Sequence, residues 1–474
     1  MSLLKALEVR DSTFQPYLST NTLYDLQTGV FIPGVHGGMI LNGGLSRTNG
    51  YMGRQQRFKS TIMMSHITRA MSYYPGSESY TDDTEDALKK ERVIAFSPFD
   101  DNHANLDERM VITTSAETSA EEFFDQIKKL AQMKISAADS YTVESPLIDP
   151  RTMQRVRMFI PTFVCFDSWS KLISAFMQTT LDTKALGSSD TNTIFMKDGA
   201  IKKMMMTQIP TLAARAGIYF FLSAHIGDVI KIDPYASAVK SLQYMRSSDK
   251  PKEVGSDFLF LVSNVVEMRN VDLMLDTDKK DALYPIVGGS ATDLNEVTLI
   301  LSRCKNNASG SQLPIIVSPS KGILSALTNY HYIRSNKYFG LIGSQVIHKP
   351  AMTDNSVGRT TIREKLTDQK TARAIEILAQ FRYIKANWVT AGVDVNFNTY
   401  TPEQLAEDLL GSGKAMVNDI LESRGWWTYD KTNLQPYLST YDVLAIAQGL
   451  YRAKGVSLAG MTVPQATSET QQTV

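Results

Sequence analysis

Gly53-Arg54-Gln55-Gln56-Arg57-Phe58-Lys59-Ser60-Thr61 follows the short run Tyr51-Met52 and leads into an amphipathic stretch over residues 62–71. A strand, a glycine-led basic loop and a helix in that order make a cradle for phosphate. Successive backbone N–H groups at a helix start cup phosphate oxygens, and the helix dipole adds to the attraction. In such a loop the lysine neutralises β- and γ-phosphate charge and the next hydroxyl ligates Mg²⁺; Lys59 and Ser60 hold those positions. The loop departs from GxxxxGK[ST] at Phe58, which stands where the second glycine is expected. A side chain is tolerated there when φ stays negative or its Cβ points away from the nucleotide. Taken alone, the segment also reads as an ordinary basic helix start.

Outward from the loop, Asp83-Thr84-Glu85 falls one strand–helix unit later, at the tip of the next strand, where ligands of open α/β sheets gather. Glu85 there can polarise the water that attacks a γ-phosphate. It can equally belong to an exposed acidic turn, because residues 77–83 are too polar for a central strand. Pro161-Thr162-Phe163-Val164-Cys165-Phe166-Asp167-Ser168 is an apolar strand that ends in a carboxylate. Asp167 is placed to hold Mg²⁺ through its water shell, and also to cap a helix over residues 169–177. A third apolar strand, residues 218–222, runs into Ser223-Ala224-His225, and His225 is positioned to read a γ-phosphate. Three successive strands ending in Glu85, Asp167 and His225 predict an ATP-hydrolysing core.

The remainder of the chain fits an α/β fold. Apolar runs at 163–166, 218–221, 258–262, 297–301 and 313–317 read as buried strands, and residues 120–133 and 199–216 carry helical periodicity. Their alternation predicts a largely parallel sheet. After about residue 323 helical patterns dominate, at 364–388, 402–409, 416–425 and 440–454. The chain divides into an N-terminal segment (1–30, a short amphipathic helix broken by Pro16), a core (31–327), a helical C-terminal domain (328–456) and a polar tail (457–474) expected to be disordered. The 49 basic and 49 acidic residues cancel, which excludes a polycation while leaving room for a local basic groove. Two cysteines, Cys165 and Cys304, exclude a disulfide framework, and no spacing suggests zinc. Neither a signal-peptide pattern nor a membrane-spanning stretch is evident, so a soluble cytoplasmic protein without a membrane partner is expected. Gln15-Pro16-Tyr17-Leu18-Ser19-Thr20 recurs as Gln435-Pro436-Tyr437-Leu438-Ser439-Thr440. The repeat is either a Pro-led turn with a Ser/Thr helix cap or a pair of segments competing for one docking groove.

Together these motifs resemble the RecA/UvsX family of recombinases, most closely its phage branch. The resemblance covers roughly residues 31–327 and rests on Asn42-Gly43-Gly44-Leu45, Phe58-Lys59-Ser60, Asp83-Thr84-Glu85 and Phe166-Asp167-Ser168. It continues through Ala224-His225, where the family has an amide residue in place of alanine, and through Leu301-Ser302-Arg303-Cys304-Lys305 with residues 313–317 and Lys321-Gly322-Ile323. It implies a RecA-like ATPase core, a mostly parallel twisted sheet flanked by helices, followed by a mainly helical C-terminal domain. It further implies that Gly53, Arg54, Gln55, Gln56, Arg57, Phe58, Lys59, Ser60 and Thr61 bind ATP. Ser60 and Asp167 would hold Mg²⁺, Glu85 would activate water, and His225 would sense the γ-phosphate. Arg303 and Lys305 would reach a neighbouring subunit's γ-phosphate, as an arginine finger does. Two DNA loops are implied, at 183–196 and 227–256. The second carries Lys231, Tyr235, Lys240, Tyr244, Arg246, Lys250 and Lys252, and basic residues interleaved with tyrosines suit single-stranded DNA. The implied activity is DNA-dependent ATP hydrolysis by a recombinase that forms a helical filament on single strands and pairs them with homologous duplex DNA. Residues 1–30 would dock one protomer on the next, with Phe14 as anchor. A hexameric replicative helicase or loader motor, and a non-hydrolysing ATPase-like protein, share much of the motif set.

Overall fold

The computed structural model describes residues 14–98, 105–114, 118–184, 193–229, 240–278, 280–336, 357–388, 414–433 and 435–448. Strand β3 (Thr48–Gly53) lies inside a ten-stranded sheet, between β11 (Asn264–Leu273) and β9 (Ile218–Asp228). Beyond β9 come β8 (Thr162–Asp167), β4 (Glu78–Asp83) and β5 (Met110–Thr114), and these six strands are all parallel. On the other side β12 (Asn295–Cys304), β13 (Gln312–Ser318) and β14 (Gly322–Ile323) continue the sheet in antiparallel pairs. The short β10 (Asp249–Pro251) runs back along the end of β9. Two hairpins stand apart: β1 (Val30–Pro33) with β2 (Met39–Asn42), and β6 (Thr142–Ile148) with β7 (Arg155–Phe159). The protein is therefore an α/β protein with a large mixed, mostly parallel sheet flanked by helices, plus a helical C-terminal region.

The central strands are buried on both faces, and their side chains alternate between two cores. Tyr51, Phe163, Cys165, Tyr219 and Phe221 point to one core; Met52, Val164, Phe166, Phe220 and Leu222 point to the other. This period of two is why the strands read as continuous apolar runs. Helix α1 (Leu23–Thr28) and helix α2 (Lys59–Tyr73) contribute to the first core, and almost every residue of α2 is buried. Helices α3 (Ala120–Ser136), α5 (Ile194–Ala216) and α6 (Ser256–Leu261) cover the second, with α4 (Ala175–Thr183) packed on α5. The C-terminal region docks on the first core through α7 (Ser325–Ser335), α8 (Gln369–Asn387), α9 (Lys414–Glu422) and α10 (Thr440–Ala447). Trp388 Nε1 donates to the Leu26 carbonyl at 3.1 Å and Thr428 Oγ1 to the Tyr73 carbonyl at 2.7 Å.

Several expectations change. Residues 258–262 lie mostly in α6, which ends at Leu261: Gly255 stands at its start, and helical spacing turns Phe258 and Val262 inward while Phe260 is 65% exposed. A short apolar run does not distinguish strand from helix, and the strand in this region is the more polar β11. Strand β4 is internal despite its polarity, paired with β8 and β5. Its Tyr80 stacks on Phe123 at 4.1 Å, and Asp83 is consumed by the turn that follows. Asp167 does not cap a helix; residues 169–171 form a single 3₁₀ turn, and α4 is capped by Ser174. The described part of the N-terminal segment belongs to the protein's own core. Leu18, Leu23, Tyr24 and Leu26 are essentially inaccessible, and Phe14 packs against that core. Residues 402–409 and 457–474 lie outside the described residues. Among the described residues no helix is long and apolar enough to cross a membrane.

Candidate functional site

Because β3, β9, β8 and β4 are parallel, their C-terminal ends reach one edge of the sheet. Register pairs Gly53 with His225 and Asp83 with Asp167. There a cleft of about 1140 Å³ is lined by the whole loop from Arg54 to Thr61 together with Glu85 and His225. Its size suits a nucleotide.

The loop begins at Gly53, where an added Cβ would come within 3.1 Å of the Lys59 side chain. Lys59 opens α2 and is 9% exposed. Phe58 adopts φ +59° and ψ 22°, the left-handed conformation that glycine takes without cost. Of the two ways a side chain is tolerated there, a negative φ is the one this position does not take. The strain is about 1–2 kcal/mol, and the partly buried ring offsets it by packing on the first core. Gln56 is also left-handed, at φ +56°.

Three charged groups converge behind the loop. Burial lowers the Lys59 ammonium below its usual range, while Asp167 and Glu85 pull it back up. Burial raises Asp167 above the usual carboxylate range against hydrogen bonds from Ser223 and Ser60 and the charge of Lys59. The Ser223 hydroxyl donates to Asp167 Oδ1 at 2.5 Å. Glu85 experiences burial that raises it, but its hydrogen bond and charge pairing with His225, then Lys59 and Ser168, outweigh that and hold it low. The Glu85 Oε1 to His225 Nε2 distance is 2.7 Å. Thr84 ties this turn to the aspartate strand: its N–H donates to the Asp167 carbonyl at 2.8 Å, and its hydroxyl accepts from the Ser168 N–H at 2.7 Å.

Some contributors act in ways the motifs do not state. Asp83, 2% exposed, accepts from the N–H groups of Glu85 and Leu88 at 3.2 and 2.7 Å and so shapes the Glu85 turn. Ser223 is signalled only as a polar residue at the end of an apolar run. Arg54 pairs with Asp228 at 2.5 Å and Asp249 at 3.0 Å, thus touching both ends of the candidate DNA loop, which sequence spacing gave no reason to expect.

The remaining predicted residues lie elsewhere. Strand β12 runs against β11, so Arg303 and Lys305 fall at the opposite edge of the sheet from the candidate phosphate loop. They donate to the carbonyls of Leu259 and Leu261, respectively. Lys240, Tyr244, Arg246, Lys250 and Lys252 are exposed, but Lys231 and Tyr235 lie outside the described residues, as does most of the loop at 183–196. Strand β9 extends to Asp228, beyond its expected end, and β10 returns beside it, so part of the second loop is sheet. Comparison with protein-family models finds no match, and comparison with curated proteins finds none.

Proposed function

We propose that the protein is an ATP-dependent, single-stranded-DNA-binding recombinase with a RecA-like core, resembling the phage UvsX branch. The observation that carries this reading is the meeting of four strand ends: Lys59, Ser60, Glu85 and His225 line one cleft, and Asp167 is buried beside it against Ser60 and Lys59. In this reading the loop N–H groups and Lys59 bind the triphosphate, and a phosphate anion restores the charge stabilisation that burial takes from Lys59. Ser60 and Asp167 would hold Mg²⁺ beside phosphate oxygens, a hydroxyl-and-carboxylate set that suits this cation; the ion would neutralise phosphate charge. His225 orients Glu85 and keeps it ionised, ready to align the attacking water. Because Lys252 N–H donates to the His225 carbonyl at 2.8 Å, the state of that pair is tied to the candidate DNA loop next to β10. Arg303 and Lys305 would act on a neighbouring chain's nucleotide after leaving their carbonyl partners.

Phosphate release measured with and without single-stranded DNA tests the reading. DNA is expected to stimulate release, and Lys59→Ala to abolish it; a wild-type protein that releases no phosphate under either condition overturns the proposal. Glu85→Gln is expected to retain nucleotide binding while turnover falls by about 10²–10⁴-fold. Undiminished turnover in that variant would assign the water-aligning role to another group. Electron microscopy of the ATP-bound protein on single strands should show open helical filaments, whereas closed six-fold rings would favour the helicase or loader reading.

A further inference from the structure

A second cavity, of about 510 Å³, lies at the far end of α2, between the core and the C-terminal region. Three arginines line it: Arg69 from α2, Arg373 from α8 and Arg424 from the segment after α9. Arg69 and Arg373 are each only 4% exposed. Glu376 is the one carboxylate among the lining residues, and it pairs with Arg373 at 2.9 Å. The other two arginines are held chiefly by neutral oxygens. Arg69 donates to the carbonyls of Thr20 and Asn21, and Arg424 to those of Gln435 and Trp426. Carbonyls satisfy the N–H groups but do not cancel the charge. Among the lining residues three arginines thus stand against one carboxylate, with Asp430 acting on Arg424 from outside the lining, and a concave wall with excess positive charge concentrates anions. One buried donor of a lining residue, Arg373 Nε, also lacks a partner.

We propose that this cavity binds a small phosphate-bearing anion that fastens the C-terminal region to the far end of the phosphate-loop helix. A phosphate dianion presents several acceptor oxygens to guanidinium forks approaching from different directions, whereas a carboxylate satisfies one fork. The ring pair Tyr73–Trp426, 4.1 Å apart, forms part of the wall and suits either a free phosphate or a nucleoside phosphate whose base lies against it. Arg69, Arg373 and Arg424 come from segments far apart in sequence, so one ligand would join them. Helix α2 spans about 20 Å from the candidate cleft to this cavity, and the site stands whether or not the cleft hydrolyses ATP.

The test is thermal unfolding of the full chain carrying Lys59→Ala, which weakens anion binding at the first cleft, titrated with inorganic phosphate at constant ionic strength. The midpoint is expected to rise by about 2 °C at a tenfold excess over the dissociation constant. Adding Ala326→Glu, a half-exposed lining position in the first turn of α7, supplies a tethered carboxylate. It should raise the midpoint without phosphate and remove the response to phosphate. Ala372→Glu, across the cavity on α8, should do the same and guards against a folding defect in either variant. No response in the Lys59→Ala protein overturns the proposal. So does an equal response in both glutamate variants, which would place the phosphate effect elsewhere. Adenosine monophosphate acting at lower concentration than phosphate identifies a nucleotide as the ligand; equal potency identifies the phosphate group alone.

Discussion

Gln15-Pro16-Tyr17-Leu18-Ser19-Thr20 and Gln435-Pro436-Tyr437-Leu438-Ser439-Thr440 place the same six residues in two settings. In both, the leucine is buried and the serine hydroxyl donates to an aspartate, Asp25 at 2.5 Å and Asp442 at 2.8 Å. In both, that aspartate follows a tyrosine, but Asn21-Thr22-Leu23 intervenes in the first copy. The helix therefore starts late there, at Leu23 with Thr22 as cap, and at once in the second, where Ser439 and Asp442 form a capping box. Leu18 pairs antiparallel with Leu45, whereas Tyr437 pairs parallel with Arg424. Both copies hold the β1–β2 hairpin together: Tyr17 N–H donates to Asn42 Oδ1, while Leu41 N–H donates to Tyr437 Oη and Met39 N–H to Asp442 Oδ1. They occupy different places in one chain, which favours the reading as a Pro-led turn with a Ser/Thr cap over two segments competing for one groove. The hexapeptide encodes a turn and a serine lock, and the residues after it decide where the helix begins.

Truncation before Gln435 breaks the comparison most severely. It removes Leu438, Val443 and Leu444 from the core and takes the Leu438 carbonyl from Arg373. A loss above about 5 kcal/mol is expected in denaturant unfolding; a stable truncated protein that assembles more readily would restore the competition reading. Next comes Asp25→Ala, which leaves the Ser19 hydroxyl, the Thr20 hydroxyl and N–H, and the Asn21 N–H without their acceptor. Its expected cost is about 3–5 kcal/mol. A cost below that of the corresponding change at Asp442 would show that the first lock is dispensable.

The smallest effect distinguishes the second lock by its pH dependence. Burial raises Asp442 to about 6, against hydrogen bonds from Met39 and Ser439. A carboxyl raised on folding favours the native state when protonated, so its contribution is fully present below about pH 4 and is lost as pH rises through 6. Asp442→Asn should remove that slope, giving a cost of about 1–2 kcal/mol at acid pH that shrinks as pH rises from about 4 to 6 and changes little above pH 7. Unfolding curves of the two proteins that stay parallel from pH 4 to 8 would rule out this titration.

Much of the candidate cleft is legible in the sequence. The glycine-led basic loop, the aspartate ending of β8 and the polar ending of β9 are each local patterns: a turn residue, a charge at the end of an apolar run, a change of periodicity. Their gathering at one edge follows from parallel pairing. The Glu85–His225 bond was not legible, because strand order decides which loop faces which. The same holds for the Arg54 pairs and for Ser223 against Asp167. Arg69, Arg373 and Arg424 carry no motif at all, and only the docking of the C-terminal region brings them to one cavity.

By itself the sequence determined the α/β class, the strand–loop–helix at residues 48–73 and the helical character of the C-terminal region, since these depend on neighbours a few residues away. Tertiary structure decided that the polar residues 78–83 form an internal strand, that residues 256–261 are helical and that Phe58 bends into a glycine-like conformation. It also decided that two identical hexapeptides share one hairpin. Each of these outcomes turns on burial against distant segments, whose free energy exceeds the local preference it overrides.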